Sequence, residues 1–109
     1  MHIFPAALVL NVSDSGRAAE FWTQALGYVR QPDAPDFLVP PDGDGLRLHL
    51  DEGDRTHLDL WVDREKSDVR TEMDRLLALG ATKVDWSYPE DADFVVLADT
   101  EGNLFCLIK

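Results

Sequence analysis

The chain has 109 residues, 45% of them apolar, and a single cysteine, Cys106. That is enough chain for one domain with one core; it allows no internal disulfide, and no apolar run reaches the length of a membrane span. The formal net charge of −11 argues against a nucleic-acid partner, whose phosphates are held by Lys and Arg, and is read as a solubilising surface that also permits a cationic ligand.

The opening residues, Met1-His2-Ile3-Phe4-Pro5, carry no basic stretch and no long apolar segment. No secretory signal is expected, and a cytoplasmic location is. Residues 6–12 are predicted as a buried strand. Asp14 or Ser15 caps the helix that follows. In it Ala18, Phe21, Trp22, Ala25 and Leu26 recur at i, i+3, i+4, i+7 and i+8, one apolar stripe, and Gly27 ends it. Tyr28-Val29-Arg30 reads as a short strand, Pro32 to Pro35 as a turn, and residues 36–39 as a strand closed by Pro40-Pro41. Asp42-Gly43-Asp44-Gly45 is turn chemistry. Residues 46–51 alternate, with Leu46, Leu48 and Leu50 inward and Arg47, His49 and Asp51 opposite.

A short charged link, 52–56, leads into His57-Leu58-Asp59-Leu60-Trp61-Val62. Alternation places Leu58, Leu60 and Val62 in the core and lines up His57, Asp59 and Trp61 on the other face. A second helix is predicted over 65–79, with Val69, Met73, Leu76 and Leu77 on one face and Gly80 at its end. Residues 82–86 read as a strand and 87–93 as an acidic loop. Residues 94–98 and 104–108 read as strands joined by a turn.

The order is β-α-β-β-β, written twice. Residues 7–12 share the apolar phase of 57–62, both helices end in Leu-Gly, and Asp44-Gly45 opens 46–50 as Glu101-Gly102 opens 103–107. Repeats of this length are read as one unit duplicated. The predicted class is α+β: one domain of two βαβββ modules, about 4–52 and about 56–109. They are expected to form a curved mixed sheet with helices on the convex side and a pocket on the concave side.

Glu20-Phe21-Trp22 leading to Leu26-Gly27-Tyr28, then His57-Leu58-Asp59-Leu60, Leu79-Gly80-Ala81 and Asp99-Thr100-Glu101-Gly102-Asn103 carry a resemblance to a known group. The chain resembles the vicinal oxygen chelate superfamily of glyoxalases, bleomycin-resistance proteins and extradiol dioxygenases. Its short glyoxalase-like branch is the nearest match, with Thr100 where proline is usual. The resemblance implies ligand positions, typically two His and two Glu in metal-dependent members, at Ala7, His49, His57 and Cys106. Ala7 offers no donor and Cys106 replaces a carboxylate. The expectation is therefore no metal cofactor; if a divalent metal is held, His49, His57 and Cys106 are its ligands, a set suited to zinc.

The leading reading is a small-molecule binding protein of the glyoxalase/bleomycin-resistance type. Its pocket is lined by Val9, Asn11, Arg47, His49, His57, Asp59, Trp61 and Cys106. Asp59 either anchors a cationic ligand or pairs with Arg47, and Trp61 either stacks on a planar group or packs on the sheet. The alternative is a lyase, isomerase or dioxygenase in which His57 or Asp59 is the catalytic general base, or the three metal ligands polarise an oxygen. The resemblance also implies a homodimer. No phosphate-binding glycine loop, serine elbow or basic aromatic patch is present.

Overall fold

The computed structural model describes residues 2–109. In chain order the elements are β1 (Ile3–Asn11), α1 (Ser15–Leu26), β2 (Val29–Gln31), β3 (Ala34–Val39), β4 (Arg47–Asp51), β5 (His57–Val62), α2 (Val69–Ala78), β6 (Thr82–Lys83), β7 (Phe94–Ala98) and β8 (Leu104–Ile108). The class is α+β, and the succession strand, helix, three strands occurs twice. The residues fall into two compact units: Ala6–Thr56, and His57–Lys109 together with the residues up to Pro5.

Within Ala6–Thr56 the strand order is β2-β3-β4-β1. β1 runs parallel to β4, while β2, β3 and β4 pair antiparallel. The second unit repeats this arrangement as β5-β8-β7-β6. β5 is parallel to β8, and β8, β7 and β6 are antiparallel. A strand lying parallel to another needs a long crossover, and in each unit the helix and the strands after it make that crossover.

Asp14 starts α1. Its backbone is extended at φ −147° and its side chain accepts a hydrogen bond from the Arg17 amide at 3.0 Å, satisfying one of the open donors of the first turn. Gly27 stops the helix in the left-handed region at φ 71°, where a Cβ is unfavourable. Asp14→Ala should therefore cost about 1 kcal/mol. Urea denaturation would show it as a lower midpoint at unchanged slope.

The stripe predicted for α1 is displaced. Ala19 is buried, and Ala18 and Trp22 pack on Leu38, Leu48 and Leu50 of β3 and β4, with Leu8 and Leu10 of β1. Phe21 is 61% exposed and meets Trp22 edge-on, the ring centroids 5.0 Å apart. The buried face is centred on small alanines, which let the helix approach the strands; one residue of rotation, about 100°, carries Phe21 to the flank.

In the second unit Val62, Leu97 and Leu107 form the buried centre, with Val69, Met73, Leu76 and Leu77 of α2 packed on them. Leu58, predicted as core, is 41% exposed, since it lies at the start of β5, away from that cluster. The helix begins at Val69 rather than near 65, because Asp63 accepts from the Lys66 and Ser67 amides in a turn and Asp68 is the cap. β6 holds two residues rather than five. β3 starts at Ala34 and takes in Pro35, at the register irregularity opposite Arg30 and Gln31, where a missing amide breaks no ladder bond.

Among the described residues one carboxylate is buried. Glu72, at 2% exposure, accepts from the Ser67 hydroxyl at 2.7 Å, the His2 amide at 3.0 Å and Arg75 at 3.1 and 3.2 Å. These donors tie the chain's start to α2. Among the described residues no helix is long and apolar enough to cross a membrane.

Candidate functional site

The two parallel strand pairs share one register. In the first unit Val9 lies opposite His49, and in the second Asp59 lies opposite Cys106. Ala7, Val9 and His49 are thus the counterparts of His57, Asp59 and Cys106. Because side chains alternate across a strand, each trio occupies one face of its strand pair, opposite the face its helix covers. Ala7 and Val9 have exposures of 1% and 2% and offer a ligand almost no surface.

The second unit's trio is polar. One donor atom each from His57, Asp59 and Cys106 lies within 4.8 Å of the others. His57 Nε2 is 3.2 Å from Asp59 Oδ1, and the two side chains retain 9% and 20% exposure. The imidazole, carboxylate and thiol meet because His57 and Asp59 are two residues apart on β5 while Cys106 faces Asp59 from β8. Trp61 continues the same face; it is 39% exposed and meets Phe4 edge-on, centroids 5.9 Å apart.

The first unit places its polar residues differently. His49 lies flat on Phe37, with centroids 4.1 Å apart and planes 8° from parallel. The Arg47 guanidinium sits 4.9 Å from the Phe37 ring centre, and its Nε donates to the Ala6 carbonyl at 3.3 Å. Asn11 is bound at the end of β1: its amide donates to the Thr56 hydroxyl at 3.1 Å, and its side chain donates to the Asp54 carbonyl. The pairing of Phe37 with His49 follows from the β3–β4 register, which no local sequence pattern gives away.

The four positions that the superfamily resemblance assigns to a metal do not make a four-donor site. Ala7 has no donor atom, Cys106 brings a thiol where a carboxylate is expected, and the donor that joins His57 and Cys106 is Asp59. Asp59 as a third donor was legible from its spacing to His57, but its convergence with Cys106 needed the β5–β8 register. Glu72 escaped the sequence reading although it stands three residues after Val69, on the stripe that α2 buries.

The glyoxalase-like domain family matches residues 7–108. No curated protein matches the chain. Among solved structures, methylmalonyl-CoA epimerase from Mycobacterium tuberculosis is similar over 95% of this chain and 85% of its own, with 20% identity and a TM-score of 0.60. A member of the glyoxalase/bleomycin resistance protein/dioxygenase superfamily from Sphaerobacter thermophilus DSM 20745 aligns over 96% of this chain and 95% of its own, with 21% identity and a TM-score of 0.38. At such identity the likeness to the epimerase speaks for the fold alone. With the duplicated βαβββ arrangement and a family match that spans nearly every residue, this chain belongs to the glyoxalase-like domain family of the vicinal oxygen chelate superfamily.

Proposed function

We propose that this protein binds a small organic molecule on the polar face of β5 and β8, without drawing on the superfamily's four-donor metal. The observation that carries the reading is the row His57, Asp59 and Trp61: an imidazole and a carboxylate 3.2 Å apart beside an indole that is 39% exposed. A carboxylate next to an accessible indole suits a planar, cationic ligand, which gains from the charge and from the ring face. The break at Ala7 supports a binding role over the superfamily's metal-dependent chemistry.

A thermal-shift screen of aromatic amines followed by calorimetry tests this. One compound should saturate the protein at one site and be recovered unchanged, and Trp61→Ala should weaken it by roughly tenfold, the scale of a partly desolvated cation–π contact. No stabilising compound, or an affinity untouched by both Trp61→Ala and Asp59→Asn, would count against it.

The His57–Asp59 contact favours a second reading, an enzyme in which the carboxylate orients the imidazole as a general base. Consumption of a bound compound by the wild type, abolished in a folded His57→Ala variant, would establish that reading and displace the first.

A further inference from the structure

We propose that the second module carries a separate site for an amphipathic carboxylate, a carboxylate group on an aliphatic body, on the side of its strands that α2 covers. The proposal does not depend on ligand binding at β5 and β8. The site is a hollow of about 470 Å³ walled by α2, β6, β7 and the loop between those two strands. Pockets for small organic molecules begin at about 300 Å³. Val95 lies opposite Leu107 and Lys83 opposite Leu97, and Leu97 and Leu107 belong to the cluster on which α2 packs. Side chains alternate across a strand, so Lys83 and Val95 stand on the helix side and Cys106 on the other.

The hollow exists because the two modules differ at one joint. β2 and β3 are joined by residues 32–33, whereas their counterparts β6 and β7 are joined by residues 84–93. β6 pairs with Leu97 and Ala98, and the earlier residues of β7 have no strand on that edge. The Tyr88 hydroxyl takes the place of one. It accepts from the Val96 amide at 2.7 Å and keeps its own proton for another acceptor. This bond pins the loop beside the edge, with the Tyr88 ring centroid 5.6 Å from that of Phe94. A connection longer than its repeat requires is where binding residues gather.

The lining sets the ligand. Half-buried Met73, Val84 and Val95 supply an aliphatic floor, and methionine adapts to an irregular chain. Two cations stand over it, Lys83 and Lys109, two of the three lysines in the sequence. The Lys109 amide donates to the Asp93 carbonyl at 2.7 Å, and its Nζ lies 3.4 Å from the Ala92 carbonyl, against the loop. The sequence holds 21 acidic residues, yet among the described residues neither lysine forms an ion pair. Glu90 also lines the hollow, and the cations outnumber it. Two ammonium groups over an apolar floor complement a carboxylate with a saturated chain behind it.

The test is calorimetric titration with decanoate, and with decylammonium as the cation of matched chain. Decanoate should saturate one site per chain below about 1 mM, and decylammonium should not. Lys83→Gln with Lys109→Gln should weaken decanoate roughly tenfold, the scale of two exposed charge contacts, and Glu90→Gln should tighten it about twofold. Ala92→Phe fills the hollow and should abolish binding. Trp61→Ala, on the opposite side of the strands, should leave the affinity within about twofold. Both lysines are exposed, so their variants decide the matter even if Ala92→Phe misfolds. The proposal is overturned if decanoate does not saturate the protein, if decylammonium binds as well, or if Trp61→Ala weakens decanoate while the lysine pair does not. Failure of the aromatic-amine screen leaves this result untouched, and the absence of decanoate binding leaves that screen untouched.

Discussion

Replacing Leu107 with alanine should lower the stability of the protein by about 3–4 kcal/mol. Leu107 is fully buried, at 0% exposure, together with Leu97, and both pack with Val62 at 5%. It sits on β8, between β5 and β7, opposite Leu60 on one side and Val95 on the other. Truncation removes three heavy atoms of a leucine side chain from a closed cluster. The ladder bonds on both sides hold the backbone in place, so the cavity cannot collapse, and its cost adds to the lost transfer energy. In a chain of this length, such a loss shifts the melting temperature by roughly 15 °C. Leu107→Met keeps the volume and should cost less than about 1.5 kcal/mol. Calorimetry on the two variants separates them, and a Leu107→Ala shift no larger than that of Leu107→Met would show that the cluster is not the close-packed centre described above.

Acid should unfold the protein through Glu72. Its carboxyl is held at about 2, well below the ordinary 4.5, first by the Ser67 hydroxyl, then by the His2 amide and Arg75, all of which favour the charged form. A depressed carboxyl contributes stability that is complete above the unfolded value and is lost as the pH falls towards the folded one. The window is therefore from about 4.5 down to about 2. Asp68, held low by the Thr71 amide and side chain, and Asp99, held low by Asn103, act in the same direction. Titration of the other acids carries the net charge through zero near pH 4.4 and then builds positive charge, whose self-repulsion adds to the loss. The readout is accordingly the difference between the wild type and Glu72→Gln. The variant should be less stable at neutral pH, because Arg75 and the His2 amide then face an uncharged partner. The gap should close as the pH approaches 2. Parallel urea midpoints across that window would show that the carboxylate contributes nothing through its charge.

Both the match to the family and the duplicated module rest on features that short-range sequence carries. The glycines after Leu26 and Leu79, the cap at Asp14, and the alternation in 46–51 and 57–62 are local. Each is read within a few residues, because helix ends, turns and strand faces are set by neighbouring backbone geometry. The same alternation put His57, Asp59 and Trp61 together on one face. Where the reading slipped, distant packing was in control. Phe21 is left outside because alanines let α1 approach the strands, Leu58 lies beyond the reach of the α2 cluster, and the tie between Glu72 and the His2 amide spans most of the chain.

The sequence by itself thus determined the module, its repetition, the family and the loss of a ligand at Ala7, since these depend on residue identity and local periodicity. Only the tertiary structure decided which polar groups meet. The parallel register of β5 with β8 brings Cys106 opposite Asp59, and the antiparallel register of β3 with β4 lays Phe37 on His49. A slip of one residue in either pairing would turn those side chains to the other face. Register is fixed by the whole hydrogen-bonded ladder and the cores beneath it, not by the residues that happen to carry the chemistry.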